Sequence, residues 1–255
     1  MQIPFHKYQA AGNDFVVIDN RKNIFPKKNE HIQKICDRKF GIGSDGLILI
    51  EESIKGQFDM IFYNPDGSQS LCGNGCRAAI RFAESLNLTA DATIFNAFDG
   101  LHKAQINGGT IKLQMSNVQN GRPIEGGIFL DTGSPHFVLF VDNVQQIDVL
   151  NIGRKWRNSG LFGAGGANIN FVEIQDKNKL FVRTYERGVE NETLSCGTGV
   201  TAAALAASTK GCESTIIIET KGGTLEVSFQ HKEKEFVNVW LEGPAEQVFT
   251  GTIQF

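Results

Sequence analysis

Hydrophobic and polar residues alternate with the period of a β-strand from Ile3 to Tyr8. Short apolar runs of strand length follow at Phe15–Asp19, Leu47–Glu51 and Phe58–Tyr63. Ala10-Ala11-Gly12-Asn13-Asp14 and Asn64-Pro65-Asp66-Gly67 are rich in turn formers and end the strands before them. Glu30–Lys39 has a weak helical period, and the glycine loop Phe40-Gly41-Ile42-Gly43-Ser44-Asp45-Gly46 leads into the strand from Leu47. After Leu71-Cys72-Gly73-Asn74-Gly75 the period becomes that of a helix, from Cys76 to Leu86. Strands are predicted again over Thr93–Ala97, Leu101–Ile106 and Thr110–Met115.

The second half repeats this order. Gly12 to Asp19 answers to Gly133 to Asp142, and Phe40 to Glu51 answers without a gap to Phe162 to Glu173. Leu194-Ser195-Cys196-Gly197-Thr198-Gly199 answers to the first cysteine motif, with Cys196 placed 124 residues after Cys72. Ile111-Lys112-Leu113 answers to Val237-Asn238-Val239. Four blocks in one order predict a tandem duplication joined near Gln119-Asn120-Gly121-Arg122-Pro123. Residues 1–118 form one half, carrying Cys72, and 119–244 the other, carrying Cys196. The tail 245–255 has no counterpart and is expected to add a strand to the first half. Val200 to Ser208 is apolar all round, which marks a buried helix. The expected fold is α/β (α+β): two pseudo-symmetric domains, each a mainly antiparallel sheet curled around a central hydrophobic helix.

Composition narrows the class of function. Hydrophobic residues make up 41% and charged residues 21% of the 255, as in ordinary globular proteins, and a net charge of −3 suggests neither nucleic acid nor an anionic membrane as partner. Met1 to Lys7 has no apolar core of a signal peptide, and no run approaches the about 18 apolar residues of a membrane span. Five cysteines, an odd and scattered set, do not make a disulfide framework, so a reducing cytoplasm is expected. Cys72 and Cys76 lack the second pair or histidine of a zinc site, and no metal is expected.

The cysteine motifs carry the chemistry. Each is a cysteine followed by two glycines bracketing a small polar residue, at the start of a helix. Backbone N–H groups and the helix dipole there stabilise a carboxylate and lower a thiol's pKa. If the halves meet face to face, the two sulfurs flank one carbon. One thiolate can then take a proton α to a carboxylate while the opposite thiol returns one. The N–H groups of Gly73, Asn74, Gly197 and Thr198 would stabilise the developing charge, with no cofactor required.

Gly12-Asn13-Asp14-Phe15, Asn64 with Asp66-Gly67, Cys72-Gly73-Asn74-Gly75, Gly133-Ser134-Pro135-His136, Asn168 and Glu186-Arg187-Gly188 ahead of Cys196-Gly197-Thr198-Gly199 together resemble the diaminopimelate epimerase family. The resemblance runs from residue 7 to about 205. It implies cofactor-independent epimerisation of LL-diaminopimelate to the meso form, in lysine and peptidoglycan precursor synthesis, by a cytoplasmic homodimer. It also implies that Cys72 and Cys196 are the acid and base. Gly73, Asn74, Gly197 and Thr198 would hold the reacting carboxylate. Asn13, Asn64, Asn168, Glu186 and Arg187 would hold the rest of the substrate, and His136 and Glu186 would tune the thiols.

Two positions depart from the family pattern: Ser134 replaces an asparagine common there, and Gly46 replaces a glutamine found in some members. Two other readings compete. A proline or hydroxyproline racemase of the same superfamily would carry a histidine where this chain has Asn74, and would leave Arg187 without a distal carboxylate. A non-catalytic amino-acid-binding protein would need neither thiol.

Overall fold

The computed structural model describes residues 2–255. The chain divides into two compact units, residues 1–113 with 243–255, and residues 114–242. In the first unit eight strands lie side by side in the order Glu246–Gln254, Gln2–Ala10, Asn13–Asp19, Gly46–Glu51, Asp59–Tyr63, Thr93–Ala97, Gly100–Asn107 and Thr110–Gln114. Chain order and sheet order agree except for the C-terminal strand, which returns to pair antiparallel with the first.

Two junctions in this sheet are parallel, and each brackets a helix. Asn13–Asp19 reaches Gly46–Glu51 through α1 (Asn29–Cys36), and Asp59–Tyr63 reaches Thr93–Ala97 through α2 (Gly73–Ser85). Parallel neighbours require such a crossover, whereas the antiparallel neighbours are joined by short turns. Helix α2 touches five successive strands, from Glu246–Gln254 to Asp59–Tyr63. On the opposite face Ile32, Ile35 and Cys36 of α1 pack with Val16, Ile18, Leu47 and Leu49. Strands covered on both faces should be apolar without alternation, and Phe15–Ile18 and Gly46–Ile50 are buried at every position.

The second unit repeats the plan. Gly127–Asp131, Pro135–Phe140, Asn168–Asp176, Lys179–Glu186, Ile216–Thr220, Gly223–Lys232 and Glu235–Pro244 follow one another across the sheet. The parallel junctions again bracket α3 (Val149–Arg157) and α4 (Gly197–Ser208). Helix α4 is buried from Val200 to Ala207 and packs on six of the unit's strands. Helix α3 covers the outer face with Val149, beside Phe137, Ile169, Phe171 and Tyr185. The sheets are thus mixed, antiparallel except where a helix crosses over. Helix α3 and the hairpin of Arg122–Ile124 with Gly127–Asp131 are elements that periodicity did not indicate.

Candidate active site

Each cysteine motif places its cysteine at the N-cap of a central helix with nearly the same backbone. Cys72 has φ −131° and ψ 110° ahead of α2, and Cys196 has φ −125° and ψ 113° ahead of α4. The Cys72 carbonyl accepts from Cys76 N at 2.8 Å and the Cys196 carbonyl from Val200 N at 2.9 Å, each closing the first helical turn. Cys72 Sγ accepts from Gly75 N at 3.4 Å, so the sulfur also caps its helix. Cys196 is 8% exposed and Cys72 is half-buried. Cys76 lies inside α2, where burial pushes its thiol pKa up, so it stays a protonated core side chain.

Around Cys196 the sheet supplies a polar chain. His136 and Asn168 sit opposite each other in the parallel register, and Asn170 follows two residues on, which puts all three on one face of the sheet. Thr184 Oγ1 donates to Asn170 Oδ1 at 3.0 Å, which turns the Asn170 amide nitrogen toward His136 Nδ1 at 3.1 Å and Phe137 O at 3.3 Å. With Nδ1 accepting, the imidazole proton sits on Nε2 and is donated to Thr198 Oγ1 at 2.9 Å. The Thr198 hydroxyl hydrogen then points to Cys196 Sγ at 3.5 Å, where it stabilises a thiolate. Gly199 makes room for this chain: a Cβ there would come within 2.5 Å of Asn170 Oδ1. Asn170 and Thr184 were not among the residues singled out in the sequence. Their signal is a polar residue at a buried position beside buried apolar neighbours, Asn170 between Ile169 and Phe171 and Thr184 beside Tyr185.

His136 is fully buried, and burial holds its pKa at about 3, with the Arg187 charge acting in the same direction. The ring is therefore neutral at physiological pH. Its folded pKa lies below the ordinary value of 6.5, so the unfolded chain binds the extra proton between pH 6.5 and about 3. The stability contributed by neutral His136 is complete above pH 6.5 and is lost as pH falls through that window. Urea midpoints at pH 7.5 and pH 5 should drop less for His136→Gln than for the parent. An equal drop would contradict the assignment.

Asn13, at the start of its strand, receives Asn74 Nδ2 at 2.5 Å and donates to Asp45 Oδ2 at 2.9 Å. Asn64 holds its own turn, donating to Ser68 Oγ at 3.0 Å and Ser70 Oγ at 3.2 Å. Asn168 is buried and braces the wall: it donates to Ser134 Oγ at 2.9 Å and Pro135 O at 3.1 Å, and accepts from Arg187 N at 2.8 Å. Ser134 thus occupies its departure from the family pattern as a partner of Asn168. Glu186 ends its strand opposite Asn191.

Arg187 lies exposed in the turn that follows the strand, where Gly188 takes φ +92°. Glu190, in the same turn, accepts from Arg157, Tyr185 and Gly188 N. At Gly46 a Cβ would come within 2.3 Å of the Phe62 ring, so Phe62 fills the space that a longer side chain would need.

No helix among the described residues is long and apolar enough to cross a membrane. The sequence profile of diaminopimelate epimerase matches residues 5–122 and 128–248. A diaminopimelate epimerase of Flavobacterium psychrophilum is 53% identical over 253 residues, covering 97% of this chain and 99% of that protein. Among solved structures, a phenazine biosynthesis protein of the PhzF family from Bacillus anthracis covers both chains fully, with TM-score 0.79 at 16% identity. A probable proline racemase from Agrobacterium radiobacter covers 99% of this chain and 92% of its own, with TM-score 0.69 at 13% identity. At such identities the two structures share a fold with this chain and nothing further follows from them.

Proposed function

This chain belongs to the diaminopimelate epimerase family, and on that premise we propose that it inverts one α-carbon of diaminopimelate with Cys72 and Cys196 as paired base and acid. It is an isomerase acting on a small molecule, and it interconverts the LL and meso forms. The observation that carries the mechanism is the matched pair of N-cap thiols, each at the mouth of a central helix. A thiolate on one face takes the α-proton. The thiol on the other face gives its own proton to the carbon, so one proton leaves and one arrives. Charge that spreads onto the carboxylate during transfer is met by N–H groups of the first helical turn, at Gly73, Asn74, Gly197 and Thr198.

The hydrogen-bond chain through Asn170, His136 and Thr198 supports Cys196 as a thiolate, with the Thr198 hydroxyl as its donor. Glu186 is proposed to tune the thiols alongside His136. Arg187 is proposed to take the distal carboxylate as a bidentate partner. Asn13, Asn64, Asn168 and Glu186 are proposed to take the distal polar groups, with Asn168 also fixing the backbone beneath Arg187. The family resemblance further supports a cytoplasmic homodimer, which sedimentation of the purified protein measures directly. The function is tested by incubating the protein with LL-diaminopimelate and resolving the stereoisomers. Appearance of the meso form supports the reading, and unchanged LL substrate overturns it.

A further inference from the structure

Arg77, one turn into α2, is fully buried, and burial lowers its pKa to about 10 while the guanidinium lies close enough to Cys72 for their charges to interact. Nη2 donates to Asn74 Oδ1 at 2.8 Å and Nε to Pro244 O at 3.4 Å, while Nη1 is buried without a hydrogen-bond partner. A buried cation with an unpartnered nitrogen is worse for stability than an apolar side chain of its size. Stability therefore does not explain this arginine. From Asn74 the bonds continue in one direction. Asn74 Nδ2 donates to Asn13 Oδ1 at 2.5 Å, and Asn13 Nδ2 donates to Asp45 Oδ2 at 2.9 Å. Asp45 is itself held by Asp14 N at 3.2 Å and Arg38 Nη2 at 2.7 Å.

We propose that Arg77 and Asp45 are positioning residues that lock the amides of Asn74 and Asn13 in one orientation, through a chain running from a group that can only donate to one that can only accept. A guanidinium has no acceptor and an ionised carboxylate no donor. Flipping Asn74 would set an NH2 against Arg77 and a carbonyl against Asn13. Flipping both amides would restore the bond between them but leave the clash at Arg77 and add a second at Asp45. The orientation is thus fixed from both ends, and it decides whether each amide offers a donor or an acceptor in a given direction. At the second helix mouth the position equivalent to Arg77 is Thr201, which bonds Gly197 O at 2.9 Å. There the His136 chain serves instead, so each mouth has its own directional network.

The inference rests on the proposed substrate roles of Asn13 and Asn74, and a double-mutant cycle tests it. Arg77→Met, Asp45→Asn and the double variant are assayed for kcat/KM on LL-diaminopimelate, with urea stability measured in parallel. Either single change leaves the other end to hold both amides, and only the double releases them. Each single should therefore stay within about threefold of the parent, while the double loses about tenfold or more beyond the product of the single losses, because residues in one network couple. Losses that only multiply, or that fall short of the product, overturn the proposal, since independent effects at separated sites add in free energy. Should Arg77→Met lose cooperative unfolding, Arg77→Gln, whose amide can donate or accept, takes its place in the cycle with the same outcomes. A parent enzyme without epimerase activity overturns the proposed function, and the inference with it. An active parent with indifferent variants overturns the inference alone.

Discussion

Cys72→Ala and Cys196→Ala should each abolish epimerisation while leaving the chain folded. A positioned acid or base contributes about 10²–10⁴-fold to a proton transfer, and inversion needs one on each face of the carbon. Neither sulfur can do both jobs, because a thiol that removes a proton and returns it on the same side restores the starting configuration. Loss of either should therefore cost at least about 10³-fold in kcat. The fold should survive, because the cap bonds to the Cys72 and Cys196 carbonyls are backbone bonds that alanine keeps. What Cys72 loses is the 3.4 Å contact from Gly75 N to sulfur, a cap worth about 1 kcal/mol. Turnover near the parent's in either variant, with unchanged circular dichroism, would contradict the two-thiol reading.

The second large effect concerns the far end of the substrate. Arg187→Ala should lower kcat/KM for diaminopimelate about ten- to a hundredfold. A charge-assisted pair is worth about 1.5–3 kcal/mol, and the exposure of Arg187 argues against more. A contact remote from the reacting carbon is made equally in the ground and transition states, so the change should fall mainly on KM. Alanine, proline and lysine lack the distal carboxylate and should be poor substrates for the parent. Kinetics on all four compounds check this, and comparable kcat/KM for proline and diaminopimelate would move the chain to the racemase reading.

Much of this architecture is legible in the sequence because its strands are short and its helix mouths carry glycine. The runs Val16-Val17-Ile18 and Leu47-Ile48-Leu49-Ile50 are unbroken by polar residues because helices cover both faces of those strands. Helix α3 is hidden for the opposite reasons. Its nine residues include Gly153, where a Cβ would meet the Tyr185 side chain at 2.5 Å, and its last turn is basic. A glycine demanded by packing erases the local helical signal. The support of the candidate site is equally quiet. Asn170, Thr184, Arg77 and Asp45 lie in segments that read as strand, helix or loop, and only the hydrogen bonds of the folded chain reveal their direction. The exposure of Arg187 depends on the turn after its strand, which local pattern does not determine.

The central claim is that inversion proceeds by exchange of the α-hydrogen between two cysteines, and isotope wash-in tests it most directly. The enzyme is incubated with LL-diaminopimelate in heavy water, and the meso product is examined by mass spectrometry and NMR at early conversion. Deuterium at the inverted α-carbon of the product, with formation of that meso product lost in both Cys72→Ala and Cys196→Ala, is the predicted result. Meso product that retains its original hydrogen, or meso product formed at the parent's rate in either variant, would contradict it.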